Sequence, residues 1–357
     1  MRLKKNIQCC AAPSAITKHK SAGHWCDSLP VAKTSRTIHL ITPCPIRLQK
    51  GPSPSLSWAL SQADKLSGGR SRASLVKFTT FLLAAVTQIA AAAQQPTAIP
   101  PEIVVVPSGA LRLKALLWLP ENGGPFPAVL FNHGSGSSDA MHTGPFVITE
   151  AAERLGPIFV KHGYAFLYLF RRGQGLSADQ GDFMQKLLQR EKMANGEEAR
   201  KGLQLRLLTT DHLDDVIAGL SFLKKLPHVD ANRIAIAGHS FGGQLTLLAA
   251  ERDSSVRAAV TFGAAAGSWE DWPELRERLL SAVRKTSAPL MLIHASNDYS
   301  TAPGNAMAAE RKRMGKPQVL KIYPAIGKTS EEGHNFVYSA VDRWETDVFK
   351  FLDANVR

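Results

Sequence analysis

The sequence contains no cysteine beyond Cys44, and its four cysteines, Cys9, Cys10, Cys26 and Cys44, all lie close to the N-terminus. No disulfide can therefore form in the rest of the chain, even in an oxidising compartment. The spacing of the four, an adjacent pair followed by wide gaps, matches no common zinc-binding pattern. The sequence thus predicts no metal site.

Net charge is also scarce outside the N-terminal fifth. Residues 1–74 carry 12 basic and 2 acidic residues, whereas residues 75–357 carry 31 basic and 28 acidic residues. A strongly basic chain would suggest binding to nucleic acid or to an acidic membrane surface. Because the main part of the chain is nearly neutral, we expect no nucleic-acid partner.

No hydrophobic run is long enough for a stable membrane span, which needs roughly 20 strongly apolar residues. A shorter run, FTTFLLAAVTQIAAAA, follows the basic residues Arg70, Arg72 and Lys77 and ends in an Ala-x-Ala pattern. The basic start, the modest apolar stretch and the small-residue end together predict a secretory signal peptide over residues 75–93, cleaved after Ala93. A buried alanine-rich helix is the alternative.

Signal peptides stand at the start of a chain, so the position of this one needs an explanation. Residues 1–74 show no hydrophobic period and are rich in proline, serine and lysine, a composition that favours disorder. We hypothesise that they are a disordered extension, or a stretch upstream of a true translation start near Leu75. The chain is then divided into this extension, the signal peptide at 75–93 and one domain at 94–357, in a secreted or periplasmic protein.

Apolar strands and amphipathic helices alternate along the predicted domain. Ala128–Phe131 is a short apolar run typical of a strand buried on both faces. The segment 211–224 places Leu213, Val216 and Leu220 on one helical face. This alternation predicts an α/β fold with a largely parallel sheet covered by helices on both faces. Segments 176–208 and 265–287 break the rhythm, and we expect them to be cap insertions over the carboxyl edge of the sheet.

The segment Gly238-His-Ser-Phe-Gly242 is a Gly-x-Ser-x-Gly motif between a predicted strand ending at Ala237 and a predicted helix containing Gln244. In a strand–turn–helix context, this motif is a nucleophile elbow. The sharp turn leaves no room for bulk beside Ser240, which explains Gly238 and Gly242. Ser240 is therefore the candidate nucleophile, at a helix N-terminus that favours nearby negative charge.

A serine nucleophile needs a base and an acid that orients it, and in such folds they follow in the order Ser, acid, His. The predicted strand 289–294 is followed by Asp298, and the last predicted strand is followed by a loop that contains Gly333-His334-Asn335. We therefore predict that His334 is the general base and that Asp298 holds it in the required tautomer.

Other residues could in principle fill these roles. His294 lies within a strand and is interpreted as a core histidine, whereas His239 and His133 flank turns. Asn297 and Asp253 are alternatives to Asp298, but Asp253 precedes a different strand.

Acyl transfer also needs N–H donors aimed at an oxyanion. The residue after the nucleophile, Phe241, supplies one backbone donor. The loop His133-Gly-Ser-Gly136 leaves a predicted buried strand, and Ser135 is the predicted second donor. Arg172-Gly-x-Gly175 follows the next strand, where Arg172 either contacts an anionic substrate or pairs with a local carboxylate; we favour the pairing.

Together these motifs resemble the α/β-hydrolase superfamily, and most closely its dienelactone-hydrolase-like and secreted serine esterase branch. The resemblance spans about residues 102–355 and includes Val229-Asp-x-x-Arg233. It implies an eight-stranded, mostly parallel sheet and hydrolysis through an acyl-enzyme without a cofactor. Dienelactone hydrolases proper use a cysteine nucleophile where this chain has Ser240, so carboxylic esters are the expected small-molecule substrates. The alternatives are a serine peptidase for short peptides and a catalytically silent binding protein.

Overall fold

The computed structural model describes residues 100–121, 123–136 and 148–357. The predicted extension at 1–74 and the predicted signal peptide at 75–93 lie outside these residues. No helix in the described part of the chain is both long enough and apolar enough to cross a membrane.

Eight strands form one sheet, with helices in the connections. The strands are β1 Glu102–Ser108, β2 Leu111–Trp118, β3 Phe126–Asn132, β4 Ala165–Leu169, β5 Val229–His239, β6 Ala258–Phe262, β7 Leu290–Ala295 and β8 Gln318–Tyr323. The helices are α1 Ile148–Lys161, α2 Met184–Thr209, α3 Asp211–Leu223, α4 Phe241–Arg252, α5 Pro273–Lys285, α6 Ala302–Arg313, α7 Ser330–His334, α8 Phe336–Ser339 and α9 Val341–Val356.

The strand order is β1-β2-β4-β3-β5-β6-β7-β8. β2 pairs antiparallel with both β1 and β4, and every other neighbouring pair is parallel. The predicted eight-stranded, mostly parallel sheet is thus confirmed. Because the carboxyl ends of its parallel strands meet at one edge, the residues that follow β3, β5, β6, β7 and β8 are brought together there.

Alternate residues of each central strand belong to separate apolar cores on the two faces of the sheet. In β7, Leu290 and Leu292 pack into one core, and Met291 and Ile293 into the other. Helices α3, α4, α5 and α6 contribute to the first core, and α1 and α9 to the second. Helices on both faces explain why β3 to β7 are apolar on both sides.

The prediction for segment 265–287 was partly wrong. Its helical part, α5, buries Leu275 and Leu279 in the first core as the connection between β6 and β7, so it is not a cap. Trp269 and Trp272 are also buried in that core. The segment 176–208 does contain a long extra helix, α2, which is kinked at Gly196.

Candidate active site

Ser240 is the single residue between β5 and α4, and its backbone is strained. Its φ of 54° and ψ of −118° lie in a region that side-chain-bearing residues rarely adopt. Its N–H donates to Phe262 O at 2.8 Å, which ties the turn to β6. A Cβ on Gly242 would overlap Asn132 O, and one on Gly238 would overlap Gly242 O. The close approach of these backbones therefore requires glycine at both positions.

Among the described residues other than glycine, only Ser240 and Ala265 have positive φ, at 54° and 61°. Both line one cavity of about 440 Å³ at the carboxyl edge of the sheet. Strained backbone of this kind persists only where the surroundings enforce it, and it often marks functional sites. The cavity is lined by His133, Gly134, Ser135, Gly136, Ile148, Ala151, Tyr168, Gln204, His239, Ser240, Phe241, Gln244, Ala265, Gly267, Ser268, Tyr299, Glu331, His334, Asn335 and Tyr338.

His334 lines the same cavity as Ser240 and is hydrogen-bonded to Asp298. The distance from His334 Nδ1 to Asp298 Oδ1 is 2.6 Å, and both side chains are buried. A carboxylate can only accept, so Nδ1 of His334 is the donor, and in the neutral form of the imidazole Nε2 is the nitrogen that can accept a proton. The structure thus brings together all three residues of the sequence prediction, two as cavity walls and Asp298 directly behind one of them.

A second histidine binds the other oxygen of Asp298. His294 Nδ1 lies 2.9 Å from Asp298 Oδ2, and its side chain is 1% exposed. The N–H of Tyr299 also donates to Asp298 Oδ1, at 2.8 Å. Burial opposes ionisation of Asp298, but hydrogen bonds from His294 and His334 outweigh it and hold the pKa of this carboxyl well below its usual range. Asp298 is therefore a buried carboxylate at neutral pH.

The segment that carries His334 was predicted to be a loop, but it is the short helix α7. Thr329 caps this helix through the N–H of Glu332, and the Glu332 carboxylate accepts from the Thr329 N–H in return. His334 is the last residue of α7 and is 8% exposed. A capping pair near the end of β8 thus fixes the backbone from which the imidazole reaches the cavity.

The main chain of His334 is held by His239, the residue before the nucleophile. His239 Nε2 lies 2.9 Å from His334 O, and because a carbonyl only accepts, Nε2 carries the proton. Burial, together with the nearby His334, lowers the pKa of His239 to about 3, so it is neutral. His239 therefore joins the nucleophile elbow to the end of α7.

Gly263, directly after β6, lies under the His334–Asp298 pair. Its φ is +59°, and a Cβ there would lie 2.9 Å from His334 Nδ1 and 3.0 Å from Asp298 Oδ2. Any side chain would displace one of the two groups. This glycine had no signal in the sequence, because its role depends on two residues that lie far away along the chain.

The loop after β3 lies beside the nucleophile. A Cβ on Gly134 would come within 3.5 Å of Ser240 Cβ, and Ser135 and Gly136 line the cavity. The N–H of Phe241 belongs to the first turn of α4, where backbone donors have no partner within the helix. The two residues that carry the predicted oxyanion donors therefore both line the cavity that contains Ser240.

The alternative residues lie elsewhere or have other partners. The Asn297 amide bonds the backbone of Ile326 and Thr329, so it holds the segment that leads to α7. Asp253 forms an ion pair with Lys224. His133 is buried at the start of the loop after β3 and lines the cavity, where burial and the nearby Arg171 charge lower its pKa well below the usual value.

Arg172 pairs with local carboxylates, as the sequence favoured. Its guanidinium contacts Asp211 Oδ1 at 2.6 Å and Asp215 Oδ1 at 2.8 Å, and its N–H also donates to Asp215. Arg172 is therefore engaged in joining the β4 exit to α3. In the described part of the chain, no group of three or more His, Cys, Asp or Glu residues could hold a metal ion.

Solved structures share this fold. The acylaminoacyl peptidase of Pyrococcus horikoshii is 19% identical with a TM-score of 0.53; the alignment covers 73% of this chain and 42% of that one. The Klebsiella pneumoniae structure described as a putative dienelactone hydrolase is 18% identical with a TM-score of 0.50, covering 72% and 96%. Dipeptidyl peptidase 4 of Porphyromonas gingivalis is 22% identical, also with a TM-score of 0.50, covering 72% and 36%.

This chain thus spans well under half the length of the two peptidases that it resembles. A comparison of this sequence with curated proteins found no match. The family model of the dienelactone hydrolases matches residues 154–353, a range that contains Ser240, Asp298 and His334. The chain belongs to the dienelactone hydrolase family and has the α/β-hydrolase fold.

Proposed function

We propose that the protein is a serine hydrolase that cleaves carboxylic esters through an acyl-enzyme. Ser240 is the nucleophile, His334 the general base, Asp298 the residue that orients it, and the N–H groups of Phe241 and Ser135 form the oxyanion hole. The observation that carries the proposal is the 2.6 Å hydrogen bond from His334 to Asp298, because it assigns Nδ1 as the donor and leaves Nε2 as the nitrogen that can take a proton in the cavity that contains Ser240.

In the first half of the reaction, Ser240 Oγ attacks the ester carbonyl while His334 Nε2 takes its proton. The electron pair of the carbonyl moves to oxygen, and the resulting oxyanion accepts from the two backbone N–H groups. When the tetrahedral intermediate collapses, the bond to the alcohol breaks. His334 gives its proton to that alcohol, which leaves an acyl-enzyme on Ser240.

In the second half, water takes the place of the alcohol. His334 removes a proton from water as its oxygen attacks the acyl carbon, and the same oxyanion donors act again. Collapse breaks the bond to Ser240 Oγ, which recovers the proton from His334 and releases the carboxylic acid. Through both halves, the buried Asp298 carboxylate stabilises the transient imidazolium.

Esters are proposed as the substrates because an alkoxide leaves more readily than an amide nitrogen. Ester cleavage therefore needs less transition-state stabilisation from the site. Dienelactone hydrolases proper use cysteine at the nucleophile position, so the serine here argues against the dienelactone itself as substrate. Two structurally similar proteins are named as peptidases, which keeps amide substrates as the second candidate.

The test of the nucleophile is Ser240→Ala, assayed with short p-nitrophenyl esters and a fluorophosphonate probe. We expect turnover to fall to background and labelling to disappear, while the thermal unfolding midpoint stays close to wild type. Ser255→Ala is the matched control, because Ser255 is an exposed serine in the segment that leads into the opposite edge of the sheet. Unchanged turnover or labelling in Ser240→Ala would refute the assignment, and an unlabelled wild type would indicate a silent binding protein.

The preference for esters or amides can be measured with two substrates that share one acyl group and differ in the leaving group. A p-nitrophenyl ester and a p-nitroanilide of the same N-acylated amino acid differ only in the bond that is cleaved. We expect kcat/KM for the ester to exceed that for the anilide by at least about a hundredfold. A ratio near one would favour the peptidase.

We also propose that the protein is exported, with residues 75–93 as its signal peptide. Support comes from the basic start, the apolar run and the Ala-x-Ala end of that segment. N-terminal sequencing of the native protein is the test, with Gln94 as the expected first residue. A mature N-terminus within residues 1–74 would contradict the signal peptide.

A further inference from the structure

Arg171 is fully buried behind the cavity, yet it bonds carbonyl groups rather than a carboxylate. Its Nη1 donates to His133 O at 2.8 Å, and its Nη2 donates to Gly134 O at 2.8 Å. No ion pair joins Arg171 to an acidic residue within the described ranges, because the nearby Asp215 is engaged by Arg172. A buried guanidinium therefore holds two consecutive carbonyls of the loop that follows β3.

Gln174 extends this arrangement to a third carbonyl. Its Nε2 donates to Ser135 O at 2.7 Å, and its Oε1 accepts from Arg171 Nη2 at 3.3 Å. Gln174 itself is buried. The carbonyls of three consecutive residues, His133, Gly134 and Ser135, are thus all turned toward one pair of side chains.

The direction of these carbonyls fixes the direction of the N–H groups. In a trans peptide the C=O of one residue and the N–H of the next point in opposite directions. Because Arg171 holds Gly134 O, the N–H of Ser135 points away from Arg171. Because Gln174 holds Ser135 O, the N–H of Gly136 points away from Gln174. Both residues line the cavity beside Ser240. Two backbone donors in the cavity wall are thus turned away from the Arg171–Gln174 pair.

Arg171 also contacts the other side of the proposed oxyanion hole. Its Cζ lies 5.5 Å from the centre of the ring of Phe241, the residue whose N–H is the other proposed donor. Burial lowers the pKa of Arg171 to about 10, so the group is still a cation at neutral pH. Its positive charge lies in a poorly solvated interior, where charges interact more strongly than in water.

We propose that Arg171, together with Gln174, is a positioning residue for the oxyanion hole: it orients the Ser135 and Gly136 amides and places a buried positive charge behind the oxyanion. This inference rests on the proposed serine hydrolase function. Arg171 does not line the cavity, so it acts through the loop backbone and through its field rather than by touching substrate.

The test uses Arg171→Met, Arg171→Lys and Gln174→Met in the full chain. We measure kcat and KM for a p-nitrophenyl ester and the inhibition constant of a trifluoromethyl ketone, which forms a tetrahedral oxyanion adduct with a serine nucleophile. Loss of one oxyanion donor lowers kcat by about 10²–10³. We expect Arg171→Met to lower kcat by roughly 30- to 300-fold and Gln174→Met by roughly tenfold, with KM within about threefold of wild type in both.

The ketone separates positioning from a merely structural role. Its affinity should fall in parallel with kcat, whereas the affinity for the planar product acid should change little. Arg171→Lys should recover part of the loss, because an ammonium keeps the charge but lacks the planar fork that bonds two carbonyls. Gln174→Met keeps the test valid if Arg171→Met does not fold.

Arg311 offers a matched control. It is also fully buried and donates to carbonyls, those of Thr286, Ala288 and Pro317, but it does not line the cavity. Arg311→Met should lower the unfolding midpoint without changing the kcat of the folded protein. The inference is overturned if folded Arg171→Met and Gln174→Met keep wild-type kcat and ketone affinity, or if their loss merely equals that of Arg311→Met. The proposed function itself fails separately, if the wild type neither turns over esters nor reacts with the fluorophosphonate at Ser240.

Discussion

His294→Leu tests whether the second histidine on Asp298 contributes to stability and to catalysis. His294 Nδ1 lies 2.9 Å from Asp298 Oδ2, and the edge of its ring packs so closely on Gly304 that a Cβ there would lie 2.7 Å from His294 Cδ2. Leucine has a similar volume but no donor. The substitution therefore leaves Asp298 buried with one imidazole donor instead of two.

The expected cost in stability follows from the charge of Asp298. A hydrogen bond to a charged group contributes about 1.5–3 kcal/mol, and we expect the free energy of unfolding to fall by about that amount at pH 7. The folded-state pKa of Asp298 lies below its unfolded value of about 3.9. Its stabilising contribution is therefore complete above about pH 4 and is lost as the pH falls through the folded-state pKa. His294→Leu raises that pKa, so the difference from wild type should narrow at acid pH.

The expected cost in activity is smaller than that of losing the charge itself. Neutralising the acid of such a triad lowers kcat by about 10⁴-fold, because the base then has the wrong tautomer. In His294→Leu the carboxylate and its bond to His334 remain, but one of its oxygens loses its partner. We expect kcat to fall roughly 3- to 10-fold, with KM unchanged.

The assay combines urea unfolding at several pH values with ester hydrolysis. His162→Leu is the matched control, because His162 also bonds a carboxylate, Glu345, at 2.8 Å, but it packs against Phe349 of α9 and does not line the cavity. It should lower stability with no change in kcat. If His294→Leu unfolds with the wild-type free energy at pH 7 and turns over esters at the wild-type rate, Asp298 does not depend on this histidine.

Two further predictions concern the cavity. Gly263→Ala combines a positive φ with a Cβ 2.9 Å from His334 Nδ1, so it should lower the free energy of unfolding by more than the ~1–3 kcal/mol of backbone strain alone, and it should also lower kcat. Gly315→Ala, at φ +65° with nothing within 4 Å, is the control for backbone strain alone in unfolding and activity assays. Equal effects of the two substitutions would contradict the prediction. Glu331 is the only carboxylate among the described cavity-lining residues, which include no lysine or arginine, so neutral esters should be preferred over esters that bear a carboxylate. Glu331→Gln should reduce the ratio of kcat/KM for neutral esters to that for carboxylate-bearing esters by up to about fivefold, which corresponds to the ~1 kcal/mol that an exposed charge contributes. An unchanged ratio would show that Glu331 does not select substrates.

The fold was predictable because its signals are local. The apolar run around Val129 and the alternation of strands and helices predicted β3 and a parallel sheet, and the sheet is confirmed. The role of α5 could not be read in the same way, because the charged residues among its core-facing leucines resemble those of a cap helix. Only its packing in the first core shows that this connection between β6 and β7 is not a cap.

Residues of the candidate site could be proposed from the sequence where one residue type has one chemical use in a fixed context. Ser240 in a strand–turn–helix motif, and Asp298 and His334 after successive strands, satisfy that condition, and the structure gathers them at one cavity. His294 and Gly263 do not, because a histidine within a strand and a glycine after one are common. Their roles depend on groups that only the folded chain brings beside them.

Adjacent arginines show why charge alone does not reveal a role. The charge of Arg172 is neutralised by Asp211 and Asp215, so it contributes little field at the cavity. Arg171 is solvated by carbonyl dipoles instead, which lower the cost of burying it without cancelling its charge. Under the proposed mechanism, this cation lies behind the developing oxyanion, just as the Asp298 carboxylate lies behind the developing imidazolium at His334. Each buried charge thus faces the group that gains the opposite charge, and both are in place before the substrate binds, so little reorganisation is needed during the reaction. A carboxylate paired with Arg171 would offset its charge and so remove that advantage.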